Sequence, residues 1–161
     1  MLSLAELDRA KPALAVGRID ARALELAADL LDTMRASPAC VGLAAPQIGV
    51  GLRAFALDVR GHKKANTAHG ELVLFDPVLV AARGRLVARE GCMSIPDLTG
   101  DVARAAEVVV RAFDRRGEPV TIAADAFEAR ALLHELDHLD GLVFLDRLSG
   151  PGALHQRRVY R

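Results

Sequence analysis

The chain has 161 residues, of which 52% are hydrophobic and 26% charged, enough for one compact domain and too few for two. Its 21 basic and 21 acidic residues cancel, so charge gives no reason to expect binding to nucleic acid or an anionic membrane surface. Two cysteines form no disulfide framework, no stretch is long enough to span a bilayer and no signal peptide is recognisable, so we expect a cytoplasmic protein.

The first predicted element is a helix that begins after Asp20 and runs to about Ala36. Asp20 is a residue type that caps helices, and Ser37-Pro38 ends the pattern because proline disfavours a helical residue before it. The apolar face that we expect to pack on the core is formed by Leu24, Ala27, Leu31 and Met34.

The middle of the chain is patterned as strands separated by loops. A glycine-bounded loop at residues 42–51 comes first, and a polar loop occupies residues 61–70. Pro77 lies within a strand pattern and therefore indicates an edge position or a bulge. The predicted strands are 52–59, 72–80, 85–90, 107–113 and 119–123, the last two joined as a hairpin by a turn at 114–117.

The last helix is predicted to start at Asp125, with Glu128 placed three residues later as in a capping box. Gly141 ends it, and residues 142–145 have the pattern of a short apolar strand. Strands enclosed between two helices predict an α+β fold.

The strongest chemical signal is His134-Glu135-Leu136-Asp137-His138 in this last helix. Residues four apart share a helix face, so the two imidazoles can hold one metal ion, and Glu135 can act as a base beside them. A catalytic site of this kind needs a third protein ligand and an open position for water. The metzincin position is Phe144, no glutamate follows Glu135 for a gluzincin site, and Asp146 or His155 lacks a matching context.

Cys92 fits better as the third ligand. It lies in Glu90-Gly91-Cys92-Met93-Ser94, at the end of a predicted strand, and a thiolate with two imidazoles suits Fe²⁺ or Zn²⁺. A cysteine considered alone is more often a small buried hydrophobe. A third segment, Gly42-Leu43-Ala44-Ala45-Pro46-Gln47, has small residues that let a substrate approach the backbone, and its Gln47 amide can stabilise a developing negative charge.

In this order and spacing, the three segments resemble the motifs of the peptide deformylases, and the resemblance extends from about Cys40 to Ser149. It implies a single catalytic domain, residues 1–161, with antiparallel or mixed sheets around a central metal-binding helix. It also implies release of formate from the N-formyl-methionine of nascent chains. N-formylated nascent peptides are then the expected partners, with the ribosome as a further candidate.

The resemblance assigns a role to individual residues. Cys92, His134 and His138 would be the ligands of one divalent ion, Fe²⁺ in the native form, with Zn²⁺, Ni²⁺ or Co²⁺ as substitutes. Glu135 would be the general acid and base, and Gln47 with the Met93 backbone N–H would be the oxyanion donors. The substrate-binding residues would be Gly42, Leu43, Gly91, Phe127, Arg130 and Ala131.

Four positions depart from the usual family pattern. Cys40 replaces a glycine and is expected to be buried filler. Leu133 replaces a glutamine, Thr99 an arginine, and Arg130 an apolar residue beside the pocket for the first side chain. We expect the Arg130 stem to line that pocket and its head to turn outward to solvent. Arg104 is expected to pair with Glu90 or to be an ordinary exposed charge.

Three other functions are compatible with these residues. The chain could be a metalloprotease or other amidohydrolase, or a deformylase-like enzyme that acts on a different N-formyl compound. It could also be a metal-binding or ribosome-associated module without catalysis. Glu135 and Gln47 argue against that last function, because metal binding alone requires neither.

Overall fold

The computed structural model describes residues 1–158 of the chain. The α-helices are α1, Ala21–Ala36, and α2, Ala126–Leu139, and two 3₁₀ helices span Ala45–Ile48 and Phe144–Arg147. The strands are β1, Gly42–Ala44; β2, Ala54–Leu57; β3, Leu72–Arg83; β4, Leu86–Cys92; β5, Ile95–Arg104; β6, Glu107–Phe113; β7, Pro119–Asp125; and β8, Leu154–Gln156. This is the predicted α+β fold.

Two antiparallel sheets position the site. Five strands form the first sheet in the order β1-β2-β3-β6-β7, and three form the second in the order β4-β5-β8. One side of α2 packs its leucines into a core built on the first sheet, and other side chains of α2 bond to β4 and β5. The helix therefore contacts both sheets, as expected for a central helix. Within residues 1–158, no helix has the length and hydropathy of a membrane span.

Helix α1 follows its prediction at both ends but not on its buried face. Asp20 caps it by accepting a hydrogen bond from the Ala23 N–H at 3.1 Å, and Ser37 ends it. The prediction that Leu24 is buried is wrong, because 46% of this residue is exposed. The buried face begins one residue earlier, at Ala23, and its positions recur at helical spacing. The buried residues are Ala23, Leu26, Ala27, Leu30, Leu31 and Met34.

The strands bear out most of the predicted layout. β6 has the predicted bounds, and its hairpin with β7 is confirmed. The register of β3 shifts between Phe75 and Val78, so Pro77 lies in a bulge and not at an edge. Strand β5 was not predicted, because Pro96, Gly100 and Asp101 are poor strand formers, yet it is the central strand of the second sheet.

Two local predictions around α2 are wrong because distant groups compete for the same side chains. Asp125 is at the predicted N-cap position of α2, but its carboxylate accepts hydrogen bonds from Asn66 Nδ2 and the Thr67 N–H, so the side chain makes no capping bond. Glu128 is buried and accepts from the N–H and the ring of His69, at 2.8 and 2.9 Å, so the capping box does not form.

Residues 142–145 were predicted as a strand, but a 3₁₀ helix begins at Phe144, whose ring is in the core.

Candidate active site

The structure brings Cys92, His134 and His138 together where the end of β4 meets α2. One donor atom from each lies within 4.8 Å of the other two, and the Cys92 Sγ is 3.3 Å from the His138 Nε2. Cys92 and His138 are buried, and His134 is nearly so. A thiolate sulfur with two imidazole nitrogens is a donor set typical of divalent iron or zinc. These residues therefore fit one divalent metal ion.

The two histidines differ in their protonation. The His134 Nδ1 donates to Glu90 Oε2 at 3.0 Å, which orients the ring with Nε2 as the atom that could bind a metal. Burial opposes the charged form of His134, but hydrogen bonds with Cys92 and Glu90 outweigh it and raise the pKa of His134 to about 10, so a metal ion bound at Nε2 would displace a proton. Burial lowers the pKa of His138 well below its ordinary value, so this ring is neutral. Burial favours the neutral form of Glu90, but hydrogen bonds from His134 and Arg104 outweigh it and hold the pKa of Glu90 well below its usual range.

Glu90 is held by two guanidinium groups. Arg104 donates to it through Nε at 2.7 Å and Nη2 at 3.0 Å, so the expected pairing of these two residues is confirmed. Arg130 donates to the same carboxylate at 2.7 Å and also to the carbonyls of Val102 and Leu86, at 2.9 and 2.8 Å. Arg130 is 8% exposed. The expectation that its head turns to solvent is therefore wrong: Arg130 lines the cavity, and its head is bound between α2, β4 and β5.

Glu135 lies against Gly42, on the side of the cavity formed by β1. The residue is buried, and its Oε2 has no hydrogen-bond partner among residues 1–158. A Cβ added at Gly42 would stand 2.9 Å from the Glu135 Cδ and closer still to Oε1, so the absence of a side chain there makes room for the carboxylate. Burial raises the pKa of Glu135 to about 7. A carboxyl group with this pKa can both take up and release a proton near neutral pH.

Gln47 approaches the same centre from the 3₁₀ helix that follows β1. Its Oε1 accepts the Ala44 N–H at 2.9 Å, which fixes the orientation of the amide. Its Nε2 then lies 3.1 Å from Ser94 Oγ and 3.5 Å from Cys92 Sγ. The buried Ser94 was not among the predicted site residues, although it stands within the cysteine motif. Met93, between the two, lines the cavity and is 36% exposed.

A cavity of about 440 Å³ opens beside these groups. Of the predicted substrate-binding residues, five line this cavity: Gly42, Gly91, Phe127, Arg130 and Ala131. Leu43 does not line it, because its side chain packs in the core beneath α1. Three residues that line the cavity were not predicted from the sequence: His62, Arg89 and Arg157. The centroid of the His62 ring lies 3.7 Å from that of Phe127, and the two rings are stacked. The arginines were not predicted because nothing in their local sequence marks them as part of a site.

The remaining departures from the family pattern lie close to this cavity. The Cys40 thiol donates to the Gly42 carbonyl at 3.1 Å, and burial raises the pKa of Cys40 to about 11. Such a thiol stays protonated, as expected for a filler. Leu133 packs against the core, and Thr99 lies on β5 opposite Gly91.

Comparison with known proteins identifies the family of the chain. The polypeptide deformylase family model matches residues 9–153. Peptide deformylase of Pelotomaculum thermopropionicum is 40% identical over 132 residues, which is 82% of this chain and 79% of that protein. Peptide deformylase 1 of Bacillus subtilis is 41% identical over 138 residues, 86% of this chain and 82% of that protein.

Solved structures agree. A peptide deformylase from Legionella pneumophila superposes with a TM-score of 0.83 at 38% identity and covers 92% of this chain and 85% of its own. A peptide deformylase from Thermotoga maritima superposes with a TM-score of 0.83 at 29% identity, and the match covers 93% of this chain and 97% of that chain. The family model spans most of the sequence, including the cysteine, the two histidines and the glutamate described above. The chain therefore belongs to the polypeptide deformylase family.

Proposed function

We propose that this chain removes the formyl group from the N-terminal formyl-methionine of newly made polypeptides and releases formate. The observation that carries the proposal is the convergence of Cys92, His134, His138, Glu135 and Gln47 on one cavity, in a chain of the deformylase family. The activity is metal-dependent amide hydrolysis, and we propose that a single domain, residues 1–161, performs it.

Cys92, His134 and His138 would hold the ion. A divalent ion bound there supplies Lewis-acid chemistry and makes water a better nucleophile at neutral pH. The hydrogen bond that His134 Nδ1 donates to Glu90 supports this assignment, because a carboxylate behind a ligating imidazole orients the ring in this way. Fe²⁺ is our proposal for the native ion. Zn²⁺, Ni²⁺ and Co²⁺ are substitutes that the same sulfur and nitrogen donors accept.

Glu135 moves the proton. Its Oε2, which has no hydrogen-bond partner among residues 1–158, would accept a proton from the attacking water and then deliver it to the amine of the deformylated peptide as that amine leaves. A raised pKa, about 7, supports both halves of this role, because the group is close to half-protonated at neutral pH. Gly42 keeps the carboxylate close to the cavity wall where the formyl group would lie.

Gln47 and Met93 would stabilise the formyl oxygen as it becomes negative. The hydrogen bond from Ala44 holds the Gln47 Nε2 toward Cys92, so this donor needs no reorganisation during the reaction. The backbone N–H of Met93 follows directly after the Cys92 ligand and would be the second donor. Phe127, Ala131 and the Arg130 stem would form the apolar wall that receives the methionine side chain.

We further propose N-formylated nascent peptides, present in the cytoplasm, as the natural substrates, with the ribosome as a candidate partner. The buried head of Arg130 supports methionine as the first residue, since the wall presented to the substrate is then the hydrocarbon stem.

The test compares formyl-Met-Ala-Ser, acetyl-Met-Ala-Ser and Met-Ala-Ser with protein loaded anaerobically with Fe²⁺. We expect formate from the formylated peptide and no cleavage of the other two. Cleavage of the unformylated peptide would support a metalloprotease instead. Formate released from another N-formyl compound but not from the methionine peptide would indicate a different substrate.

A further inference from the structure

Arg157 reaches the cavity from the end of β8, far along the chain from the recognised motifs. Its backbone N–H donates to the Asp97 carbonyl at 2.8 Å, which continues the pairing of β8 with β5. This register brings the guanidinium over Gly91: a Cβ added there would stand 3.2 Å from the Arg157 Cζ and closer still to Nη2. The same Cβ would lie 3.5 Å from the Thr99 methyl group. Arg157 thus occupies the cavity rim beside Gly91.

The arginines that line the cavity differ in their charge partners. Arg89 pairs with Asp101 at 2.6 Å, and Arg130 pairs with Glu90 at 2.7 Å. Within residues 1–158, no salt bridge to Arg157 is formed, and its Nε is buried without a hydrogen-bond partner. Its side chain makes one long hydrogen bond there, from Nη2 to the Cys92 carbonyl at 3.4 Å. The rim therefore presents a positive group whose donors are largely unused by residues 1–158.

We infer that Arg157 is a specificity-determining residue that binds a carboxylate of the peptide segment following the formyl-methionine. The inference rests on the proposed function and on Gly91, a cavity-lining residue that was predicted to bind the substrate and that lies beside Arg157. A guanidinium matches a carboxylate geometrically and can hold it through two parallel hydrogen bonds. The carboxylate belongs either to an acidic side chain at the second or third residue or to the C-terminus of a short peptide.

The size of the effect follows from the partial exposure of Arg157. A hydrogen-bonded charge pair contributes more when it is shielded from water and less when it is exposed. At this half-buried rim we expect about a 5- to 10-fold preference in kcat/KM for a peptide with the carboxylate, expressed mainly in KM.

The experiment measures kcat/KM for pairs of peptides with wild type, Arg157→Gln and Arg157→Lys, each loaded with Ni²⁺. One pair is formyl-Met-Ala-Ser as free acid and as amide. The others place Asp or Asn at the second or the third residue of an amidated peptide. The ratio within a pair cancels differences in folded or metal-loaded fraction, so a variant that is partly unfolded still reports on the inference.

We expect the preference for the carboxylate to fall below about twofold in Arg157→Gln and to be partly retained in Arg157→Lys, which keeps the charge. Arg158→Gln is the matched control: the neighbouring arginine is exposed, and its loss should leave the ratios unchanged. The pair that shows the effect identifies the source of the carboxylate. Equal rates within every pair, or a preference that persists in Arg157→Gln, would overturn the inference. Failure of the proposed function would look different, because no peptide, amidated or not, would then release formate.

Discussion

Replacement of Gly42 by alanine is the sharpest small perturbation that this site offers. The Gly42 backbone is not in the left-handed region, so an alanine is compatible with its conformation. The new Cβ would stand 2.9 Å from the Glu135 Cδ and closer still to Oε1, below the 3.0 Å that Cβ atoms tolerate. The neighbour is the end of a side chain whose Oε2 has no hydrogen-bond partner in the described part of the chain, so the carboxylate moves and the strand does not.

The expected displacement of the Glu135 carboxylate is about 0.5–1 Å, which is large for a proton-transfer group. A misplacement of about 1 Å costs on the order of 10²-fold in rate, and general acid–base catalysis as a whole contributes about 10²–10⁴-fold. We therefore expect kcat of Gly42→Ala to fall about 100-fold. The overpacking itself should cost about 1–3 kcal/mol of unfolding free energy, which leaves the protein folded.

The assay is formate release per metal-loaded molecule, with metal content and thermal unfolding measured on the same samples. Gly51→Ala is the matched control, since an added Cβ there meets no atom within 4 Å and its backbone is also outside the left-handed region. Equal kcat values for the two variants would refute the reasoning. A raised KM with unchanged kcat would also contradict it, because that result places the new methyl group against the substrate and not against Glu135.

Three further predictions concern the groups around the metal ligands. Cys92→Ser should bind at least about tenfold less metal after dialysis, measured by atomic emission, because a neutral hydroxyl replaces the thiolate; full metal content would remove Cys92 from the ligand set. Arg130→Met should lower the urea unfolding free energy by about 2 kcal/mol, because it leaves the buried Val102 carbonyl and the partly buried Leu86 carbonyl without their donor. Arg111→Met, at an exposed position of β6, should cost under about 0.5 kcal/mol, and equal costs would contradict the buried role of Arg130. Glu90 has a folded-state pKa below its model-compound value of 4.5, so its contribution to stability is complete above about pH 4.5 and is lost as the pH falls through the lowered value. Wild type should therefore lose more unfolding free energy between about pH 5 and pH 3 than Glu90→Gln does. An equal loss in the two proteins would contradict the lowered pKa of Glu90.

The sequence was sufficient where chemistry follows local spacing. Four residues separate His134 from His138, which puts both imidazoles on one face of α2, and the helix positions Glu135 between them. The alternation of β6 and the cap of α1 at Asp20 were also predictable, because each depends on neighbours in the chain. Cys92 was predicted as the third ligand because the other candidates lacked a matching context and a thiolate suits two imidazoles, and the family resemblance supported that choice. No local spacing links it to α2, because the end of β4 meets the helix through tertiary packing.

What could not be predicted depends on partners far away in the chain. The outward turn expected for the Arg130 head is wrong because the carbonyls of Leu86 and Val102, 44 and 28 residues distant, offer it buried acceptors. The predicted capping box does not form because the loop at residues 61–70 donates hydrogen bonds to the carboxylates of Asp125 and Glu128. The position of Arg157 at the cavity rim follows from the pairing of β8 with β5, neither of which the sequence patterns indicated.

The central claim is that Glu135 transfers the proton in a site where Cys92, His134 and His138 hold the metal. The most direct test measures formate release from formyl-Met-Ala-Ser and metal content on the same Fe²⁺-loaded samples of wild type and Glu135→Ala. We predict rapid release by wild type and at least about a 10³-fold lower kcat in the variant, with an equal metal content. A variant that retains its metal and releases formate at the wild-type rate would contradict the claim.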